Sequence, residues 1–221
     1  SGPSATLSSQ TAEQPTFTPS TDGTYVFNLN VDDGIFWSAT DTVNITAAAA
    51  AGGSSAKVAA GSSHTCGVKE DGSVHCWGWG GAGQLGDGTM NSSNVPVAVS
   101  GLTAGAAHGV GAGEDHSCAI VTDGYVMCWG GNGAGQLGDS GNATSTTPVS
   151  VSSVSGIDHV ELGFYFSCGL TSGGQVYCWG LGTSGQLGNG TTSNSNTPSA
   201  ISSITDAVGI GDLPHVLRVH E

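Results

Sequence analysis

The chain has 221 residues, 38 of them Gly, and sets 3 Lys and Arg against 17 Asp and Glu for a formal net charge of −14. Such a surface offers a phosphate backbone nothing to bind, so nucleic acid is not an expected partner, and it lacks the clustered cations that anionic membrane surfaces attract. No run of about 18 apolar residues is present, so no membrane insertion is expected, and the residues after Ser1 carry neither the basic nor the apolar region of a signal peptide.

In chain order, residues 1–47 come first and read as β-structure. Tyr25, Phe27, Leu29 and Val31 alternate with Val26, Asn28 and Asn30, the period of a half-buried strand. Asp32, Asp33 and Gly34 supply the turn after it. Thr42-Val43-Asn44-Ile45-Thr46 is a second alternating run. The strand Gly-Thr-Tyr-Val-Phe followed by Val-Asp-Asp-Gly resembles the C-terminal half of a polycystic kidney disease (PKD) type domain, which implies an extracellular immunoglobulin-like sandwich. A complete sandwich of that class needs about seven strands over about 100 residues, so the segment is expected to be a partial one. Asp32 and Asp33 are oxygen donors that would suit calcium; no other cofactor is expected. Residues 48–57, rich in Ala, Gly and Ser, read as a linker.

From Val58 a repeat dominates. The starts VAAG at Val58, VGAG at Val110, VELG at Val160 and VGIG at Val208 are 52, 50 and 48 residues apart. Within each unit a Cys and a turn lead into Cys-Trp-Gly, and a glycine-rich loop closes on Gly-Gln-Leu-Gly. A period near 50 with several short strands is the signature of a propeller. The expectation is an all-β chain of three four-stranded propeller-type blades, 58–109, 110–159 and 160–207, with a degenerate fourth start at 208–221. The blades form an open or partial β-propeller behind the partial immunoglobulin-like segment.

These units resemble the repeats of the regulator of chromosome condensation family, on the VxxG start, His-Ser/Thr-Cys, the Asp-Gly turns, Cys-Trp-Gly, Gly-Gln-Leu-Gly and the later Pro-x-x-Val. The resemblance implies β-propeller blades and a structural role for His64 and His116. The paired cysteines set the chain apart from intracellular members and are similar to a secreted microbial variant, so nucleotide exchange and chromatin binding are not expected to carry over.

Centring a hairpin turn on Asp71 places Val68 opposite Val74, Gly67 opposite His75 and Cys66 opposite Cys76. Directly opposed residues bring two sulfurs to within modest adjustment of bonding distance. The same register holds for Cys118/Cys128 and Cys168/Cys178, so three disulfides are expected. A zinc site at His64, Cys66, His75 and Cys76 is the rival, but its histidines give way to Phe166, Met127 and Tyr177 in other copies. Trp77, Trp129 and Trp179 are expected to pack between blades, and Leu85, Leu137 and Leu187 to anchor the glycine loops. The positions that differ between copies, around Trp79, Asn132 and Thr183, are the expected contact residues. Asn44, Asn91, Asn142 and Asn189 head glycosylation sequons.

No nucleophile and base recur with an orienting third group, so the expected role is that of an extracellular or cell-surface, non-enzymatic binding or adhesion module. Its expected partner is a protein, a glycan, or other copies of itself in a homo-oligomer. The alternatives are a structural subunit that self-assembles into a filament or sheath by completing partial sheets, and a secreted hydrolase fragment.

Overall fold

The computed structural model describes residues 58–102 and 107–210, and the backbone of four strands within the first 47 residues. The chain divides into two compact units, residues 1–52 and 53–221. In the first, β1 (Ala5–Leu7) pairs antiparallel with β2 (Phe17–Pro19), and β3 (Gly23–Leu29) with β4 (Asp41–Ala47), the latter in the register Tyr25 to Ile45 and Phe27 to Val43. The turn at Asp32 and Asp33, with its calcium expectation, the linker 48–57 and the side chain of Asn44 lie outside the described residues, as does most of the PKD-like sandwich expectation.

The second unit is three antiparallel four-stranded sheets in chain order. Blade 1 is β5 (Val58–Ala60), β6 (His64–Val68), β7 (Val74–Gly78) and β8 (Ser93–Ala98). Blade 2 is β9 (Gly109–Ala112), β10 (His116–Val121), β11 (Tyr125–Gly130) and β12 (Ser145–Ser150). Blade 3 is β13 (Ile157–Leu162), β14 (Phe166–Thr171), β15 (Val176–Gly180) and β16 (Ser195–Ala200). The inner strand of the third blade starts at Ile157, ahead of its VELG start, because a bulge between Ile157 and His159 carries the pairing back to Thr171.

The central hairpins hold the Asp71-centred register, with Val68 opposite Val74 and Cys66 opposite Cys76. All three expected disulfides form, Cys66–Cys76, Cys118–Cys128 and Cys168–Cys178. In each blade the third strand bulges just after its cysteine, where the Trp sits, before pairing with the outer strand.

A single blade is a sheet with two faces to bury, and the cores lie where blades meet. Cys66, Val74, Cys76, Leu85 and Val99 of blade 1 face Val110, Ala119 and Trp129 of blade 2. Cys118, Ile120, Val126, Cys128 and Leu137 of blade 2 face Ile157, Val160 and Trp179 of blade 3. The far face of blade 3 gathers Cys168, Leu170, Val176, Cys178, Leu187 and Ile201, covered in part by Ile204, Ala207 and Ile210. Ala207 N donates to Gly174 O as Ala107 N donates to Gly72 O two repeats earlier, so the chain leaves blade 3 as it leaves blade 1.

Candidate functional site

The seams between blades use the residues that recur. In the first seam the Ser117 hydroxyl donates to the Gln84 carbonyl at 2.9 Å, and the Trp129 indole N–H donates to the same oxygen at 2.9 Å. Ser117 has spent its only hydrogen, so His64 Nε2, 2.8 Å away, is the donor to Ser117 Oγ. The second seam repeats the set: Ser167 and Trp179 donate to the Gln136 carbonyl, each at 2.9 Å, and His116 lies 2.9 Å from Ser167. The histidines are therefore buried cross-blade struts, in their neutral Nε2–H form. Burial pushes His64 down to about 4, against a smaller upward pull from Glu114, and burial with the nearby His64 pushes His116 down to about 3. The zinc rival fails because its cysteines are disulfide-bonded, and the described residues hold no cluster of three metal-ligating side chains.

The Gly of Gly-Gln-Leu-Gly has a packing reason. Gly86 has φ of 70°, and a Cβ there would stand 2.6 Å from Trp129 Nε1; Gly138 meets Trp179 Nε1 at 2.7 Å in the same way. The tryptophan expectation therefore holds for Trp129 and Trp179, both fully buried, while Trp77 is half-buried because no described blade precedes it. Leu85, Leu137 and Leu187 are all fully buried.

At one end of the blades, the loop between the first two strands lies beside the residue that follows Cys-Trp-Gly. Trp79 N donates to Ser63 O, Gly131 N to Asp115 O and Leu181 N to Tyr165 O, each at 2.8 Å. These loops also join across blades, since Ser62 N donates to Gly113 O at 3.1 Å and Glu114 N to Phe164 O at 3.3 Å. The result is a continuous row formed by Ser62-Ser63, Glu114-Asp115 and Phe164-Tyr165, with Trp79 at its blade 1 end. Trp79 is 47% exposed and Phe164 55% exposed. Phe164 and Tyr165 make an edge-to-face pair with ring centroids 5.8 Å apart. Asp115 is raised above the usual carboxylate range, by burial first and by Glu114 as well, with a Gln136 hydrogen bond opposing.

Of the expected contact residues, Trp79 and Thr183 are exposed. Asn132 is not: it is fully buried, its Nδ2 donates to Asp139 Oδ1 and Ala143 O, and its Oδ1 accepts from Leu137 N. It braces its loop from within, so its variation between copies reflects local loop design and not recognition. The row itself escaped the sequence reading, although a signal was there. The dipeptide before each His-Ser/Thr-Cys or its Phe variant changes completely from copy to copy. The sequons precede the outer strands; Asn91 and Asn142 are exposed, while Asn189 Oδ1 accepts from Thr191 N and Oγ1 in a closed turn.

Comparison with known proteins agrees with this architecture. Two family models, both described as "Regulator of chromosome condensation (RCC1) repeat", match residues 71–120 with 173–211 and residues 56–84 with 157–186, together more than half of the chain. The Ultraviolet-B receptor UVR8 of Arabidopsis thaliana is 32% identical over 76 residues, which is 34% of this chain and 17% of that protein. The crystal structure of human WBSCR16 superposes with a TM-score of 0.60 at 26% identity, over 78% of this chain and 43% of that one. Prp20p of Saccharomyces cerevisiae, described with its binding properties to Gsp1p and histones, superposes with a TM-score of 0.58 at 22% identity, over 66% of this chain and 37% of that one. The chain spans about a sixth of the length of UVR8 and less than half of either solved structure.

Proposed function

Because the chain belongs to the regulator of chromosome condensation (RCC1) repeat family, we propose that it is a non-enzymatic binding module, working outside the cell or on its surface, that meets a partner on the loop row at one end of its blades. One observation carries this reading. The residues that recur, His, Ser, Trp and the Gln carbonyl, are consumed in the seams, while the loop row, with Trp79, Phe164 and Tyr165 exposed and Glu114 half-buried, differs in every copy. Constancy inside and variation outside is the pattern of a scaffold that displays loops. Prp20p, described as binding Gsp1p and histones, supports a binding role for the fold. The three buried disulfides support an oxidising compartment, and ten described carboxylates against the single described cation, Lys69, leave nucleic acid a poor fit.

Two measurements test this. Alkylation of the chain unfolded without reductant, read by mass spectrometry, should find no free thiol; six adducts would remove the extracellular part. The chain coupled to beads should bind extracellular-matrix protein or polysaccharide saturably, and the pair Trp79→Ala with Phe164→Ala should abolish this where Val95→Ala does not. Equal loss in both would remove the loop row from the reading.

A second reading is favoured by the outer face of blade 1, where Trp77 is half-buried and Val58 is 63% exposed. Another copy covering this face would make the chain a self-assembling subunit. Sedimentation showing a monomer across micromolar concentrations would overturn it.

A further inference from the structure

Each seam joins a donor half on one blade to an acceptor half on the blade before it. The donor half is the Trp indole with the Ser hydroxyl, and the acceptor half is the Gln carbonyl with the glycines around it. The two seams use the donor halves of blades 2 and 3 and the acceptor halves of blades 1 and 2, which leaves one half of each kind. Blade 1 carries the spare donor half on its outer face. Trp77 and Thr65 stand where Trp129 and Ser117 stand one blade later, half-buried where those two are fully buried. Neither side chain has a hydrogen-bond partner among the described residues. Blade 3 carries the spare acceptor half on its far face, where the Gln186 carbonyl accepts from no described donor.

That acceptor half is open. Gly86 and Gly138 lie against the indoles of Trp129 and Trp179, but Gly188 is exposed, and a Cβ there would stand closest to Ile201, at 3.2 Å. Gly83 and Gly135 meet Thr146 and Asn196 of the following outer strand, whereas a Cβ at Gly185 would have nothing within 4 Å. A hollow lined by Gly185, Gly188, Gly190, Thr191, Thr192 and Ser193 lies where those partners would be. Gly88 N donates to Thr146 O at 3.0 Å and Ser140 N to Asn196 O at 2.9 Å; the matching pair is Gly190 N and Asn94 O, both on exposed residues. The one departure in each half also suits the other. His64 and His116 reach across their seams to Ser117 and Ser167. Phe166 takes that place in blade 3, packs into the far-face cluster and has no N–H to give. The residue that would meet it is Thr65, which adds a methyl for the ring and keeps a hydroxyl for the Gln186 carbonyl.

We propose that these two faces are the halves of a third seam made between copies of the chain: blade 1 of one copy docks on blade 3 of another, with Trp77 Nε1 and Thr65 Oγ1 donating to Gln186 O. Because the two faces differ, the join runs head to tail and ends only where the last blade meets the first. Two copies bring six blades, within the four to eight that propellers hold, and three copies bring nine. The assembly is therefore a ring of two chains with two identical joins. Ile204, Ala207 and Ile210 already occupy the inner edge of the far face, as Leu102, Ala107 and Val110 do in the first seam. The partner accordingly brings β6, β7 and β8 to the join, while β5, three residues long with Val58 63% exposed, gives way to the segment at Ile210. None of the side chains named at the join is charged, so the net charge of −14 opposes it from a distance and salt screens that repulsion. This proposal rests on the second reading, of a self-assembling subunit, and names the faces that join.

The test is sedimentation equilibrium of the full chain, disulfides intact, across micromolar concentrations in about 0.15 M salt. The native chain should reach twice the 21.7 kDa of one copy and grow no further. Trp77→Ala and Gly188→Ala should each weaken the dimer by about a hundredfold or more, since each spoils both joins. Gly188 is exposed, so its variant probes the join without disturbing the packing of Trp77 in its own blade. Tyr125→Ala, equally on the surface but at the turn of blade 2, should leave the dimer unchanged. Mixing the Trp77→Ala and Gly188→Ala chains should restore association, because one join then sets an intact Trp77 against an intact Gly188. In the native dimer, NMR should find the Trp77 indole N–H protected from exchange as those of Trp129 and Trp179 are. A monomer, with Trp77 exchanging freely, would overturn this seam and the self-assembling reading together. A dimer that keeps its affinity in both variants, a mixture that stays dissociated, or growth beyond two chains would overturn this seam and leave self-assembly standing.

Discussion

Lowering the pH from 7 to 5 should destabilise the blades through His64 and His116. Their imidazoles are held neutral by burial, at about 4 and about 3, while an unfolded histidine titrates near 6.5. A histidine with a depressed folded value binds protons preferentially when unfolded, so its contribution is fully present above about 6.5 and is lost as the pH falls toward the folded value. At pH 5 the unfolded imidazole is protonated by about 30 to 1 while the folded one remains mostly neutral. This costs about 2 kcal/mol for each histidine and about 4 kcal/mol for both. Asp115, raised in the fold by burial, has the opposite sign and offsets part of this loss. The assay is urea unfolding followed by tryptophan fluorescence at pH 7, 6 and 5, on the native chain and on His64→Phe with His116→Phe. Phe is a conservative choice, because Phe166 occupies the same position in blade 3 and packs its ring against Gly163 as His64 packs against Gly61. Unfolding free energy should fall steeply for the native chain and weakly for the double variant. Equal slopes would refute the reasoning, as would an NMR titration of His64 with a midpoint near its ordinary value.

The seams make further outcomes specific. Gly86→Ala should cost about 2 kcal/mol or more by driving a methyl into Trp129, whereas Gly101→Ala, also at positive φ but with open space around it, should cost only the left-handed strain of about 1 kcal/mol; thermal melts compare them. Ser117→Ala leaves His64 Nε2 without its partner and takes one donor from the Gln84 carbonyl, and should cost about 2 kcal/mol, while Thr65→Ala, at the same position in blade 1 with no described blade before it, should cost little. Each disulfide closes a ten-residue separation and should contribute about 2.5 kcal/mol. Reductant should therefore lower the melting temperature sharply and open Cys168–Cys178 first, since Cys168 is 7% exposed where the other two pairs are fully buried; an unchanged melt would remove the stabilising role.

Much of this architecture is legible in the sequence because a repeat is its own comparison. Three copies of a Cys pair around a turn permit one hairpin register, and a Trp, a Leu and a glycine loop that persist while their neighbours change must be packing. What is not legible is which blade a residue serves. His64 reads as part of its own blade, yet its partner Ser117 lies in the next one. Asn132 reads as a variable, hence available, position, yet it is turned inward to accept from Leu137 N. The sequence period says where units begin, but a seam is a relation between units, and its His and Ser partners sit 51 or 53 residues apart.

That distinction bears on how such a scaffold acquires a ligand. In blade 2 the chain spends Asp115 on Gln136, whose Nε2 donates to its carboxylate. In blade 1 the same frame carries Ser63, which offers Gln84 no carboxylate, and Trp79 on the same loop is exposed. Neither the Asp115 nor the Ser63 side chain hydrogen-bonds within the His, Ser and Trp seam, so exchanging Asp for Ser there keeps the seam's hydrogen bonds while changing the loop above it. Blade 3 takes a third course with Phe164 and Tyr165, which present an aromatic pair in place of the acids. One buried frame thus supports three different surfaces, set by the two residues ahead of each seam.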